Sequence, residues 1–336
     1  MEALLYEKLQ NNKIKCDLCN HRCVIDTGKR GICGVRENKD GVLETLVYGK
    51  LIASHIDPIE KKPLFHFLPK SLTYSVATVG CNFKCLFCQN SDISQMPSDH
   101  KGLIAGDFFT PEDVVTSAIK GKCQSISYTY TEPTVFFEFA RDTAILALNN
   151  GLKNILVTNG YMTKEALSMI HPNIDAANVD LKSFNEDFYK KYCGAKLEHV
   201  KNTLMEMKSL GIWIEVTTLI IPGLNDDIKE LENLANFLVE SIGPETPWHI
   251  SRFHPTYKLL DHKSTPLETL LLARETGIKC GLKYVYIGNA PGENGESTFC
   301  YNCKKILIER LGFFVKKNII KNNKCPSCGV NIDGMW

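Results

Sequence analysis

Eight residues constrain this chain more than any others: Cys81-Asn-Phe-Lys-Cys85-Leu-Phe-Cys88, three cysteines spaced C-x3-C-x2-C directly after an apolar run that ends at Gly80. Each loop residue adds only a few ångströms of reach, so the three thiolates converge on one centre. Three thiolates this close suit a polynuclear iron–sulfur cluster. A structural zinc or cluster normally takes four protein ligands, whereas a set of three leaves one metal position open, as a catalytic metal site requires. The bland alternatives are a zinc knuckle that borrows its fourth ligand or a fortuitous grouping, but C-x3-C-x2-C is not a usual zinc spacing.

From about Leu72 the chain alternates strand-like and helix-like stretches. Apolar, β-branched runs occur at Tyr74–Val79, Ser125–Tyr128, Asn154–Thr158, Ala176–Leu181, Ile212–Ile221, Trp248–Phe253 and Tyr284–Ile287. Between them, Thr110-Pro111-Glu112-Asp113 places a capping hydroxyl before a first-position proline and two carboxylates. Thr265-Pro266-Leu267-Glu268 reads as a capping box. Leu197, Val200, Leu204, Met207 and Leu210 form one apolar stripe at helical spacing, which is core rather than cofactor contact. Repeated βα units imply parallel strands joined by right-handed crossovers. Six or seven units are too few for a closed eight-stranded barrel, so the expected fold is α/β, a partial (βα)6-type open parallel barrel. Ligands then lie at the carboxyl ends of the strands.

Polar residues fall at those exits. The Cys81 loop follows the first run, Tyr130-Thr131-Glu132-Pro133 the second and Thr158-Asn159-Gly160 the third. Asp180-Leu-Lys182 closes the fourth, Pro222-Gly223-Leu-Asn225-Asp226 the fifth and Arg252-Phe253-His254-Pro255 the sixth. Alone, an Asn-Gly is a turn and an Asp-x-Lys a surface ion pair. Their shared register is what marks them as a site.

The three-cysteine loop, with Phe87 before its last cysteine, resembles the signature of radical S-adenosylmethionine (SAM) enzymes. That resemblance implies a [4Fe-4S] cluster on Cys81, Cys85 and Cys88 with SAM chelated to the open iron. Electron transfer then splits SAM to a 5′-deoxyadenosyl radical that abstracts hydrogen from a substrate. It places Thr131 and Glu132 near the SAM amino group, with Tyr130 and Thr131 standing where the family has glycines, and Asn159 near the ribose. The order Thr-Asn-Gly, Asp-Leu-Lys, Pro-Gly-x-x-Asp and Phe-His is similar to the activating enzymes of glycyl-radical proteins such as pyruvate formate-lyase, over roughly residues 72–260. By that likeness Asp180, Lys182 and His254 contact SAM; Val157 replaces an aspartate of the activating enzymes. A fuller match, including Cys16-Asp-Leu-Cys19, Asp57-Pro-Ile-Glu-Lys-Lys-Pro-Leu-Phe-His66 and a late C-x2-C pair, is to the AmmeMemoRadiSam-system radical SAM proteins. The implied partners are an electron donor such as flavodoxin or ferredoxin, a protein substrate, and Memo-like and AMMECR-like proteins. Cys193 is a candidate hydrogen-atom or thiolate participant, with a buried inert thiol as the alternative.

Eleven of the fourteen cysteines fall in three groups, and the chain shows no export signal, so they read as metal ligands rather than disulfides. Cys16, Cys19, Cys23 and Cys33 suit zinc, a second iron–sulfur cluster or unligated thiols, and His21 is a spare ligand. Cys300-x2-Cys303 and Cys325-x2-Cys328 form a zinc-ribbon pattern, with a rubredoxin-like iron as the alternative. The expected division is therefore a Cys-rich module over 1–70, a radical SAM core over 71–292 and a zinc-ribbon-like module over 293–336. Net charge of +1 argues against a strong nucleic-acid footprint. No apolar run is long enough to span a bilayer. The cytoplasm is the expected compartment. Two other classes stay open: radical modification of RNA, a peptide or a small molecule, and a catalytically silent, metal-stabilised binding module.

Overall fold

The computed structural model describes residues 1–290 and 295–336. Its centre is an eight-stranded sheet of β1 (Ala53–Pro58), β2 (Leu72–Ala77), β3 (Ser125–Tyr128), β4 (Lys153–Thr158), β5 (Ala176–Asp180), β6 (Trp213–Ile220), β7 (Trp248–Arg252) and β8 (Val285–Gly288). Each strand neighbours its predecessor. Strands β2 to β8 are parallel, and β1 pairs antiparallel with β2. The edges β1 and β8 do not pair with each other, so the sheet stays open.

Among the described residues, six helices of seven or more residues connect the parallel strands: α1 (Pro111–Lys120), α2 (Phe137–Asn149), α3 (Lys164–Ile170), α4 (Leu197–Ser209), α5 (Ile228–Phe237) and α6 (Leu267–Lys279). Six strand–helix units and a closing strand match the expected α/β parallel architecture. The strands are covered on both faces, which is why they read as near-continuous apolar runs; every residue of β3 is buried. In α4, Leu197, Val200, Leu204 and Met207 are buried, each worth about 1.5–3 kcal/mol of apolar burial.

Local signals mostly held. Thr110 caps α1 in a full capping box with Asp113. At α6 the expected box does not form, because Thr265 is used elsewhere: its hydroxyl donates to the Ile220 carbonyl and accepts from the Phe253 N–H. Val42–Thr45 pairs with Arg36–Lys39, and Lys50–Leu51 with Asp107–Phe108.

The N-terminal segment is not a separate body. Ala3, Ile14, Leu18, Ile25 and Val35 share one apolar core with the helices and strands. Arg36 forms a buried ion pair with Glu138 of α2 at 2.9 Å. The boundary expected at residue 70 falls inside the sheet, since 53–58 is its edge strand. The boundary between 292 and 293 lies outside the described residues. Beyond it, β9 (Thr298–Phe299), β10 (Ile306–Leu311) and β11 (Phe314–Asn318) make a small antiparallel sheet. It packs Leu307, Ile308 and Val315 against Phe65, Tyr284 and Tyr286. Among the described residues no helix is long and apolar enough to cross a membrane.

Candidate active site

The carboxyl ends of the parallel strands open onto one cleft with a cavity volume of about 600 Å³. Cys81, Cys85, Cys88, Thr131, Glu132, Asn159, Asp180 and Lys182 all line it, so eight residues from four strand exits meet there. His254 does not. It is exposed and bonded only to Ser264, because Thr265 ties the Arg252–Phe253 turn to the end of β6 and directs the next residue outward.

The cysteine loop is fixed by its neighbours. Lys84 and Leu86 donate backbone N–H groups to the carbonyls of Cys193 and Tyr192, and Gln95 Nε2 donates to the Phe83 carbonyl. Asn159 Nδ2 bonds Asn82 Oδ1 at 2.7 Å. Donors also face the sulfurs. The Phe83 N–H lies 3.3 Å from Cys81 Sγ, and Ser94 Oγ lies 3.1 Å from Cys88 Sγ. Such donors stabilise thiolates and cluster sulfur. Burial pushes the Cys81 thiol well up, so a free thiolate there is unfavourable and a metal is the natural counter-charge. No three of these sulfurs fall in a set packed within 4.8 Å of one another, which leaves room between them for more than one ion. The three residues fit a polynuclear cluster.

Lys182 and Asp180 stand beside this loop. Their side chains pair at 3.0 Å, and Lys182 Nζ lies 5.9 Å from the centre of the Phe87 ring. Burial pulls the ammonium down, but Asp180 and the Cys85 and Cys193 sulfurs more than offset it and hold it protonated. Glu132 has a different job. Its carboxylate accepts from Thr134 N and Oγ1, Thr158 Oγ1 and Asn159 N at 2.5–3.0 Å. Those bonds splice the exit of β3 to the exit of β4 and place Asn159 over the cysteine loop. Thr131 Oγ1 donates to the Thr78 carbonyl, joining the exits of β2 and β3. Cys193 lies fully buried beside Cys85 and is not among the residues that line the cleft.

Several cleft residues were not read as site residues from the sequence. Lys61 and Lys62 line the cleft, both paired with Asp57 at 2.8 and 2.7 Å, and Tyr130 donates to the same carboxylate. Burial pulls Lys62 down to about 8 against the pull of Asp57. Tyr130 holds a left-handed backbone, φ 64°, in a slot where glycine is the easy choice. Deeper in, His249 Nε2 bonds Glu215 at 2.6 Å and its ring stacks on Tyr286, 5.1 Å between centroids. Phe313, at the β10–β11 turn, also lines the cleft, so the C-terminal sheet reaches its mouth. The Lys-Lys pair beside Asp57 was the one local signal available; His249 and Tyr286 sit mid-strand and carry none.

The outer cysteine groups differ. Cys300, Cys303, Cys325 and Cys328 place their sulfurs within 4.8 Å of one another, two pairs at 3.6 and 3.7 Å. A sulfur tetrahedron with zinc bonds of about 2.3 Å has edges of about 3.8 Å, so this quartet fits a single ion. Cys16, Cys19, Cys23 and Cys33 instead surround a separate small pocket. His21 lies on its wall but spends Nε2 on the Asn82 carbonyl, at 2.8 Å.

The model of the Radical SAM superfamily matches residues 75–238. The uncharacterized protein MJ0808 of Methanocaldococcus jannaschii is 51% identical over 99% of this chain and 98% of its own length. The pyruvate formate-lyase-activating enzyme of Clostridium pasteurianum is 22% identical, covering 57% of this chain and 82% of that enzyme. Among solved structures, Streptococcus suis SuiB bound to S-adenosylmethionine aligns with a TM-score of 0.52 at 14% identity, covering 69% of this chain and 53% of SuiB, a likeness of fold. The chain belongs to the radical SAM superfamily. Membership implies a [4Fe-4S] cluster and SAM as cofactors.

Proposed function

We propose that this chain is an enzyme that reductively cleaves SAM at a [4Fe-4S] cluster held by Cys81, Cys85 and Cys88 and abstracts hydrogen from a substrate in the same cleft. The observation that carries this is the meeting of three wide-set, donor-supported thiols with Lys182, Asp180 and Asn159 at one strand-exit cleft. When bound, the cluster and SAM supply a 5′-deoxyadenosyl radical. The chain's own part is positional. Lys182, held protonated, is the cation for the SAM carboxylate. Glu132, saturated by four donors, sets the loop that carries Asn159 rather than reaching for ligand itself.

For the substrate, we infer a glycyl-radical-type protein. Support comes from relatives named as activating enzymes, among them the putative glycyl-radical enzyme activating enzyme MJ1632 of M. jannaschii, at 24% identity. A protein donor such as flavodoxin or ferredoxin would supply the electron, and Memo-like and AMMECR-like proteins are the further partners. A second reading, radical modification of an anionic small molecule, peptide or RNA, draws on Lys61 and Lys62 in the cleft wall. The C-terminal quartet is assigned structural zinc on its sulfur spacing.

Anaerobic reconstitution, reduction and SAM addition should release 5′-deoxyadenosine, and a Cys85→Ala control should not. Equal product from both proteins sinks the assignment. Co-purification after anaerobic expression separates the substrates: a protein bearing a new glycyl radical by electron paramagnetic resonance supports the first reading, and bound RNA or a metabolite the second.

A further inference from the structure

Beyond the SAM-cleaving centre, the N-terminal cysteines carry an assignment of their own. Cys16, Cys19, Cys23 and Cys33 all line one small pocket with a cavity volume of about 20 Å³, whose wall also includes Leu18, Ile25, Val135, His21, Arg36 and Thr134. An occupant with affinity for sulfur is the simplest way to fill it.

Spacing decides what kind of occupant. The four C-terminal sulfurs lie within 4.8 Å of one another, two pairs at 3.6 and 3.7 Å, as suits one zinc ion. The N-terminal four face a common space, yet among the described residues no three of them belong to a set packed within 4.8 Å. They share that wide setting with Cys81, Cys85 and Cys88, the residues of the family's iron–sulfur loop. A mononuclear ion cannot bridge such a spread. A polynuclear cluster can, because its irons and inorganic sulfides fill the centre and push the thiolates outward.

A second, independent observation points the same way. Arg36 is 1% exposed and lines the pocket. Its two terminal nitrogens are occupied by Glu138 and the Leu4 carbonyl, but its Nε has no hydrogen-bond partner among the described residues. A buried guanidinium N–H left unpaired carries a desolvation penalty that nothing offsets. Cluster sulfur, which carries negative charge and accepts N–H bonds, removes that cost.

We propose that Cys16, Cys19, Cys23 and Cys33 hold a second iron–sulfur cluster rather than zinc, with Arg36 donating to its sulfur. The site lies directly behind the SAM-cleaving centre. His21 on the pocket wall bonds the Asn82 carbonyl in the Cys81 loop, and the Cys33 carbonyl lies 3.1 Å from where a side chain on Gly80 would begin. With φ +101° and that carbonyl against it, position 80 admits only glycine, which lets the two cysteine segments touch backbone to backbone.

The test is metal analysis of anaerobically reconstituted full-length protein carrying Cys81→Ala, Cys85→Ala and Cys88→Ala together. It does not depend on SAM cleavage, which this variant lacks. Retention of about a third to a half of the wild-type iron, with matching acid-labile sulfide and an iron–sulfur spectrum on reduction, is the expected result. Iron-free protein, with or without a second equivalent of zinc, overturns the proposal. A companion Cys16→Ser/Cys19→Ser variant should lose that share of iron and keep the remainder. Should it fail to fold, the triple variant decides alone.

Discussion

The C-terminal quartet and the Cys81 loop use the same side chain for opposite ends. In the quartet, four sulfurs close on a point, with the short sheet of β9 to β11 built around them. In the loop, three sulfurs stand apart at a strand exit, with N–H and O–H donors on them and a cleft in front. A closed tetrahedron holds a small sheet that cannot bury enough core by itself, whereas an open set leaves coordination free for a ligand. Spacing, more than ligand type, is what differs between the two cysteine sets.

The strongest way to break that contrast is to remove one sulfur from each. Cys85→Ala is expected to drop 5′-deoxyadenosine formation to background while zinc content stays at wild type. Cys300→Ser/Cys328→Ser should do the reverse to the metal: zinc is lost, and limited proteolysis should then cut in the β10–β11 hairpin, since metal binding and folding are one equilibrium in such modules. If the double variant keeps its zinc and its protease resistance, the quartet is not a metal site.

Acid sharpens the contrast at the seam between sheet and C-terminal sheet. Burial pulls His66 down to about 4. Its neutral ring is satisfied, Nδ1 donating to the Asp333 carbonyl and Nε2 accepting from Tyr286. Because the folded value lies below the ordinary 6.5, the unfolded chain takes up the proton first. The stability is whole above about pH 6.5 and is lost as pH falls toward 4, about 3 kcal/mol in all. Glu215, whose hydrogen bonds hold it below the usual carboxylate value despite burial, adds loss of the same sign at lower pH. Urea midpoints measured from pH 7 to 4 should fall, and less steeply in His66→Gln.

Smaller effects belong to the open side of the cleft. Lys182→Met should raise the KM for SAM by about ten- to a hundred-fold, the worth of one charge-assisted hydrogen bond, with iron content unchanged. An unchanged KM would remove Lys182 from the SAM site. Glu132→Gln should cost less, about 1–2 kcal/mol of stability by urea titration, because the amide keeps some of the four acceptor bonds.

Much of this molecule is local and was readable in one dimension. The parallel strands show as apolar runs because both their faces are covered, and Thr110 caps α1 through groups three residues apart. Cys81, Cys85 and Cys88 can wrap one centre because so few residues lie between them. Strand exits follow from the strands, so Glu132, Asn159, Asp180 and Lys182 reach the cleft. Everything that depends on contacts far apart in sequence was decided by the tertiary structure. Thr265 is claimed by β6 instead of α6, and with it His254 turns outward. Glu132 is consumed by β4, while Lys61 and Lys62 join the cleft from the short helical turn that follows edge strand β1. Two cysteine quartets that look alike on paper part company because one closes on a point and the other surrounds a pocket. Residue order sets which groups are available; the paths of distant loops set how far apart their atoms end up.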